Sequence, residues 1–83
     1  MNNINLTISY TDGTEKAVTA IAADLVAFEI KFDISIARLE KEVRLTHLMF
    51  IAWNIEKRTG STKDEFEKWI ETVSGVSADD SKK

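Results

Sequence analysis

Ile4, Leu6, Ile8 and Tyr10 alternate with Asn5, Thr7 and Ser9, the period-two pattern of a strand with one buried face. Thr11-Asp12-Gly13 then turns the chain. A bare two-residue Asp-Gly turn would set Val18 opposite Thr7, on the polar face. A three-residue loop with Gly13 left-handed sets Val18 opposite Leu6 and Thr14 opposite Tyr10. The pattern therefore predicts the longer loop and a second strand near 14–19. Two strands alone are marginal in water, so this hairpin has to lie on helices.

The period then changes. Ile21, Leu25, Phe28 and Phe32 recur at helical spacing and predict a helix over 20–32, with Asp24 or Thr19 as its N-cap. Asp33 to Ser35 form a short connection. A second helix is expected from Ile36 to Thr59, closed by Gly60, with Lys57 and Arg58 in its last turn. Its segment LTHLMFIAWNI, Leu45 to Ile55, is apolar over roughly 260° of the helical wheel, where a surface helix needs little more than about 100°. Leu39, Val43 and Phe50, with Trp53 at the edge, form a second apolar face opposite Leu45, Leu48 and Ala52. Asn54 and His47 make the narrow polar strip between them. Thr62-x-x-Glu65 has the spacing of a capping box and opens a third helix near 63–74, with Phe66, Trp69, Ile70 and Val73 inward and Gly75 at its end. The expected fold is α+β: an N-terminal β-hairpin followed by three helices, the long central helix packed between the other elements. Residues 1–75 form one compact domain and 76–83 a disordered polar tail.

Length and charge narrow the function. Eighty-three residues make one small domain, with little left over for an enclosed substrate cavity. A net charge of −3 and a pI near 5.1 argue against a nucleic-acid partner, which calls for a basic face. There is no cysteine, hence no disulfide framework and no thiolate zinc site. The N-terminal MNNINLTISY has neither the basic stretch nor the apolar core of a signal peptide, and the apolar run 48–53 is far short of the ~20 residues a membrane span needs. The expectation is a cytoplasmic protein with no membrane partner.

Candidate chemistry is sparse. His47, the single histidine, has only Glu40, Glu42 and Glu56 within a turn or two as fellow metal ligands, and Glu56 reads as a surface residue; no metal or cofactor is expected. A nucleophile–base–orienter set would have to use His47 as its base, inside the most apolar segment of the chain, so no catalytic residue is assigned and no enzymatic activity is expected. Glu40, Glu42, Glu65, Glu67 and Glu71 read as solvated helix faces. Phe66 and Trp69 read as core. What remains is the second apolar face of the central helix. Either the hairpin and the flanking helices cover both sides, or part of the face stays open for self-association or a partner helix.

Three segments carry a resemblance. DLVAFE (Asp24 to Glu29), FIAWNIEKRTG (Phe50 to Gly60) and FEKWIETV (Phe66 to Val73) are similar, in order and spacing, to the small tail assembly chaperones of long-tailed bacteriophages. The resemblance spans Asp24 to Val73. It implies a non-enzymatic holdase of the host cytoplasm that coats the long, helical, aggregation-prone tape-measure protein and helps tail-tube subunits polymerise around it. It also implies that the apolar stretch Leu48 to Trp53 meets the client; with the second apolar face and the basic last turn, the candidate partner-binding residues are Leu39, Val43, Phe50, Ile51, Trp53, Lys57 and Arg58. Relatives often have more residues between the first two helices than the Asp33 to Arg38 stretch supplies. The alternative is a structural virion component, a head–tail connector or minor tail protein, assembling as a homo-oligomer.

Overall fold

The computed structural model describes residues 4–41 and 44–78, the side chains of Ile36, Leu39 and Glu40 excepted. The order is β1 (Ile4–Tyr10), β2 (Glu15–Ala20), α1 (Ala22–Phe32), α2 (Ile36–Lys41), α3 (Leu45–Thr59), a single turn α4 (Phe66–Trp69) continued by the 3₁₀ turn Ile70–Thr72, and β3 (Val73–Ala78). The three strands make an antiparallel sheet in the order β2-β1-β3, with the helices over one face. The fold is α+β, with the hairpin first and the long α3 at the centre.

The hairpin takes the longer loop. Leu6 pairs with Val18 and Ile4 with Ala20, and Gly13 sits at φ +95°, a conformation that costs a residue without Cβ nothing. The Tyr10 N–H donates to the Thr14 carbonyl at 2.8 Å and the Gly13 N–H to the Tyr10 carbonyl at 3.0 Å. Asp12 Oδ1 accepts from both the N–H and the hydroxyl of Thr14. The register turns Leu6, Ile8, Val18 and Ala20 toward the helices, and Lys16 with them, opposite Ile8.

Three expectations are overturned at the level of single elements. The central helix is not continuous from Ile36 to Thr59: Arg44 is extended, at φ −116°, ψ 146°, and α3 starts after it. An unbroken 24-residue helix would run about 36 Å, longer than the 32 Å principal extent of the whole described chain. The break lets α3 cross the sheet while α2 stays beside α1. The third helix stops after one turn. Thr62 Oγ1 accepts the Asp64 N–H rather than opening a helix, and Glu65 is the N-cap residue of α4. Val73 to Ala78 is a strand, so the polar tail does not begin at residue 76; residues 79–83 lie outside the described residues. Gly75 pairs with Ser9 inside that strand.

The third strand forms because β1 has a second edge to fill, the valines favour strand, and Ser74 and Gly75 are weak helix formers. Val73 and Val76 are three apart, which in a regular strand would place them on opposite faces. They are both buried. Between Ser9 and Tyr10 the pairing shifts from Gly75 to Val73, leaving Ser74 as the extra residue of a β-bulge, and the bulge turns both valines to the core. Around them pack Leu6, Ile8, Leu25, Phe28, Leu48, Phe50, Ile51, Ala52, Ile55 and Trp69. Gly60, at φ +85°, ends α3, and the Ser61 N–H donates to the Glu56 carbonyl at 2.8 Å.

Candidate interaction surface

The residues expected to bind a partner do not share one open face. Phe50 and Ile51 are buried, at 7% and 0% exposure. Trp53 is half-buried, stacked at a tilt against Phe50 and edge-on to Phe66, and its indole N–H donates to the Asp64 carbonyl at 2.9 Å. Lys57 lies 5.2 Å over the Trp53 ring and within 3.6 Å of Glu65. Arg58 is turned to α1. Leu39 belongs to α2, and Val43 lies outside the described residues. Of the two alternatives for this face, the covered one holds at Phe50 and Ile51: both are buried, and the rings of Phe32, Trp53 and Phe66 pack around Phe50.

Among the described residues, most of the apolar surface that stays open belongs to α1 and its N-cap, with Leu45 at the start of α3. The large apolar side chains left exposed among the described residues are Ile21 at 40%, Val26 at 52%, Ile30 at 78% and Leu45 at 56%. Ala22 and Ala23 are exposed as well. At about 100° per residue, Ala22, Ala23, Val26 and Ile30 fall within one 100° sector of the helix. The opposite side buries Asp24, Leu25 and Phe28. This helix is apolar on the side facing the core and on the side facing away. Ile21, expected in the inner stripe, is instead the N-cap residue.

A buried ion pair holds α1 in this attitude. Asp24, fully buried, is not the N-cap but the third residue of the helix, and its Oδ2 accepts the Ile21 N–H at 2.9 Å, the returning half of a capping box. The same carboxylate receives Arg58 Nε at 3.0 Å on Oδ1 and Nη2 at 2.9 Å on Oδ2, and Asn54 Nδ2 at 2.8 Å. Burial opposes its ionisation. The Arg58, Ile21 and Asn54 hydrogen bonds and the guanidinium charge outweigh that and hold the carboxyl below its ordinary range. Below Asp24, Phe28 and Phe32 meet His47 at 5.1 and 4.8 Å between ring centroids. The polar strip expected between two apolar faces is the strip that receives α1.

A second polar cluster joins α3 to the sheet. Glu56, read from sequence as a surface residue, is 3% exposed. It accepts the Tyr10 hydroxyl at 2.7 Å, Lys16 Nζ at 2.8 Å and the Trp69 indole N–H at 3.4 Å. Burial again opposes ionisation, and the Lys16 and Tyr10 hydrogen bonds reverse it, so Glu56 titrates below its ordinary value. Burial and the hydrogen bond to Glu56 push the Tyr10 hydroxyl well above its usual range. The cluster floors an open cleft of about 410 Å³, rimmed by Asp12, Thr14, Ser61 and Asp64. The polar atoms of this cluster bond to one another and tie α3 and α4 to the hairpin.

Asp24 was visible as an inward residue. It lies only about 40° from Phe28 on the wheel. The Ala22/Ala23/Val26/Ile30 stripe was visible too, as apolar positions outside the Leu25/Phe28/Phe32 face. Glu56 had no such signal, because its partners come from 40 and 46 residues away. Among the described residues no group of three or more His, Cys, Asp or Glu could hold a metal ion, and no helix is long and apolar enough to cross a membrane. Comparison with protein-family models, curated proteins and solved structures finds no match to this chain.

Proposed function

We propose that this chain is a non-enzymatic binding module of the tail-assembly-chaperone kind, holding an aggregation-prone helical client, the tape-measure protein, in the host cytoplasm. The observation that carries the reading is the outer face of α1, where Val26 and Ile30 stay 52% and 78% exposed on a helix already seated by its other side. Apolar surface left open in a contiguous stripe marks an interaction site, and a helix-width stripe suits a partner helix. DLVAFE, the first segment of the resemblance, builds this helix: Asp24, Leu25 and Phe28 seat it and Val26 faces out. The client-binding face accordingly moves from the central helix to α1.

The test is capture of the tagged chain from phage-infected or prophage-induced cells, wild type beside the double variant Val26→Asp/Ile30→Asp. Retention of a very long, alanine- and leucine-rich protein by wild type, and its loss from the folded variant, supports the chaperone. Equal retention by both sinks the α1 assignment. Abundant copies in purified virions, identified by mass, would favour the structural virion component instead.

A further inference from the structure

β2 and β3 are the two margins of the sheet, and they are finished differently. β2 carries Glu15 and Lys16. Lys16 turns toward the helices and pairs with Glu56 at 2.8 Å, and an inward charge on a margin strand hinders a further strand from joining. β3, VSGVSA from Val73 to Ala78, has no charged side chain, and the chain has no proline to block it. Among the described residues no strand pairs with its outer side. The residues outside the description come in the runs 1–3, 42–43 and 79–83, each too short to lie along all six residues of β3.

The register identifies the backbone groups left over. The Tyr10 N–H bonds to Thr14 on the β2 side, and bonding direction alternates along an antiparallel strand. Ile8 and Leu6 therefore also bond toward β2, and Ser9 and Thr7 toward β3. Thr11 follows the same alternation, its N–H donating to the Thr72 carbonyl at 3.0 Å. Gly75 and Ser77, opposite Ser9 and Thr7, bond inward to β1. Val76 and Ala78 point their N–H and C=O groups outward.

We propose that this margin takes a second copy of the chain, β3 against β3 antiparallel about a two-fold axis at Ser77, joining the two three-stranded sheets into one. Val76 of each copy lies opposite Ala78 of the other, and each of these symmetric pairs exchanges both of its N–H···O bonds. Val76 and Ala78, opposite Ile8 and Leu6, meet on the helix side, and the two Ser77 side chains meet on the other. Apolar groups face apolar groups, hydroxyl faces hydroxyl, and no like charges are opposed. Pairing β3 with the β2 of another copy would bring up Glu15 and Lys16, and would leave a free margin at each end to add copies without closing. The two-fold arrangement instead ends on a charged β2 at both sides. The contact belongs to the weak class, below about 1,200 Å² in total, so the copies should separate on dilution. The pairing uses none of the α1 residues on which the client reading rests.

The experiment is sedimentation equilibrium of the full chain from about 10 μM to about 1 mM, the range in which a contact of this size should dissociate. The mass should rise from 9.4 kDa toward twice that value. Ser77→Lys/Ala78→Pro sets two lysines face to face and removes an outward N–H, a place where a margin strand tolerates proline, so this variant should stay monomeric. Ala17→Lys on β2 and Val26→Asp/Ile30→Asp on α1 should dimerise as wild type does. A wild type monomeric at 1 mM overturns the proposal. So does a dimer that survives Ser77→Lys/Ala78→Pro, or one lost in the β2 or α1 variant. Should the β3 variant fail to fold, amide exchange of wild type decides. The Val76 and Ala78 amides should slow as concentration rises while Gly75 and Ser77 hold constant, and concentration-independent exchange at Val76 and Ala78 overturns the pairing.

Discussion

Asp24 and Arg58, 34 residues apart, meet through two parallel contacts of 3.0 and 2.9 Å. The pair is asymmetric: the Asp24 side chain is fully buried, while Arg58 keeps 34% of its side chain in water. The acid is therefore the vulnerable partner. Asp24→Ala strips the acceptor from Arg58, Asn54 and the Ile21 N–H together, and is expected to cost about 3 kcal/mol, a fall in Tm of about 15 °C. Arg58→Ala destabilises in the same direction by leaving the carboxylate without its counter-charge. Thermal unfolding followed by circular dichroism checks both.

Glu56 should show the same asymmetry against Lys16, whose side chain is 44% exposed to the acid's 4%. Lys16→Met is expected to cost about 0.5 kcal/mol. Glu56→Ala, which leaves the Tyr10 hydroxyl and Trp69 indole without an acceptor, should cost about 3 kcal/mol. Equal effects in urea titrations would contradict the burial difference.

The pH dependence has a definite sign at each end. Asp24 and Glu56 are held below their unfolded values, so the stability they supply is complete above the ordinary carboxylate range, about pH 4. It drains away as pH falls through their folded values. Tyr10 is held above its unfolded value. Its contribution is complete below about pH 10 and is lost as pH rises through the folded value. Urea midpoints should therefore drop below pH 4 and again above pH 10, with Tyr10→Phe abolishing most of the alkaline drop.

Surface and core on the helices should separate cleanly by aspartate substitution. Phe50→Asp places a charge where 7% of the side chain is exposed, and the chain should not fold. Val26→Asp and Ile30→Asp, on the outer face of α1, should each change stability by no more than about 0.5 kcal/mol. Near-ultraviolet circular dichroism distinguishes the outcomes.

Deleting Ser74 tests the bulge. Without the extra residue, Val73 and Val76 stand two apart and share one face of a regular strand, so both should stay in the core and the urea midpoint should move little. Ser74→Ala, which keeps the residue count, should be tolerated.

These residues also mark how far pattern reading reaches. The hairpin register followed from Val18 alone, since only one loop length keeps it on the Leu6 face, and Gly13 and Gly60 marked their turns by conformation. The C-terminal third misled because Phe66, Trp69, Ile70 and Val73 have helical spacing. A bulge at Ser74 lets a strand bury valines three apart, a spacing that otherwise signals helix. The break at Arg44 was equally hidden: no proline or glycine announces it, and it answers to the size of the sheet that α3 has to cross. On the surface, the apolar side of α1 could be read from the wheel, whereas the burial of Glu56 depends on Tyr10 and Lys16 arriving from the hairpin.

The placement of β1 between β2 and β3 has a bearing on how the chain leaves the ribosome. Its first partner follows within a few residues, but its second, Val73 to Ala78, comes only after all the helices. Until then one side of β1 has no strand to bond. The nascent protein can form its hairpin and stack its helices early, yet it carries an unpaired strand edge until the residues beyond α4 emerge. Completion of the sheet waits on β3, and the interval before it is when this protein is most open to pairing with the wrong chain.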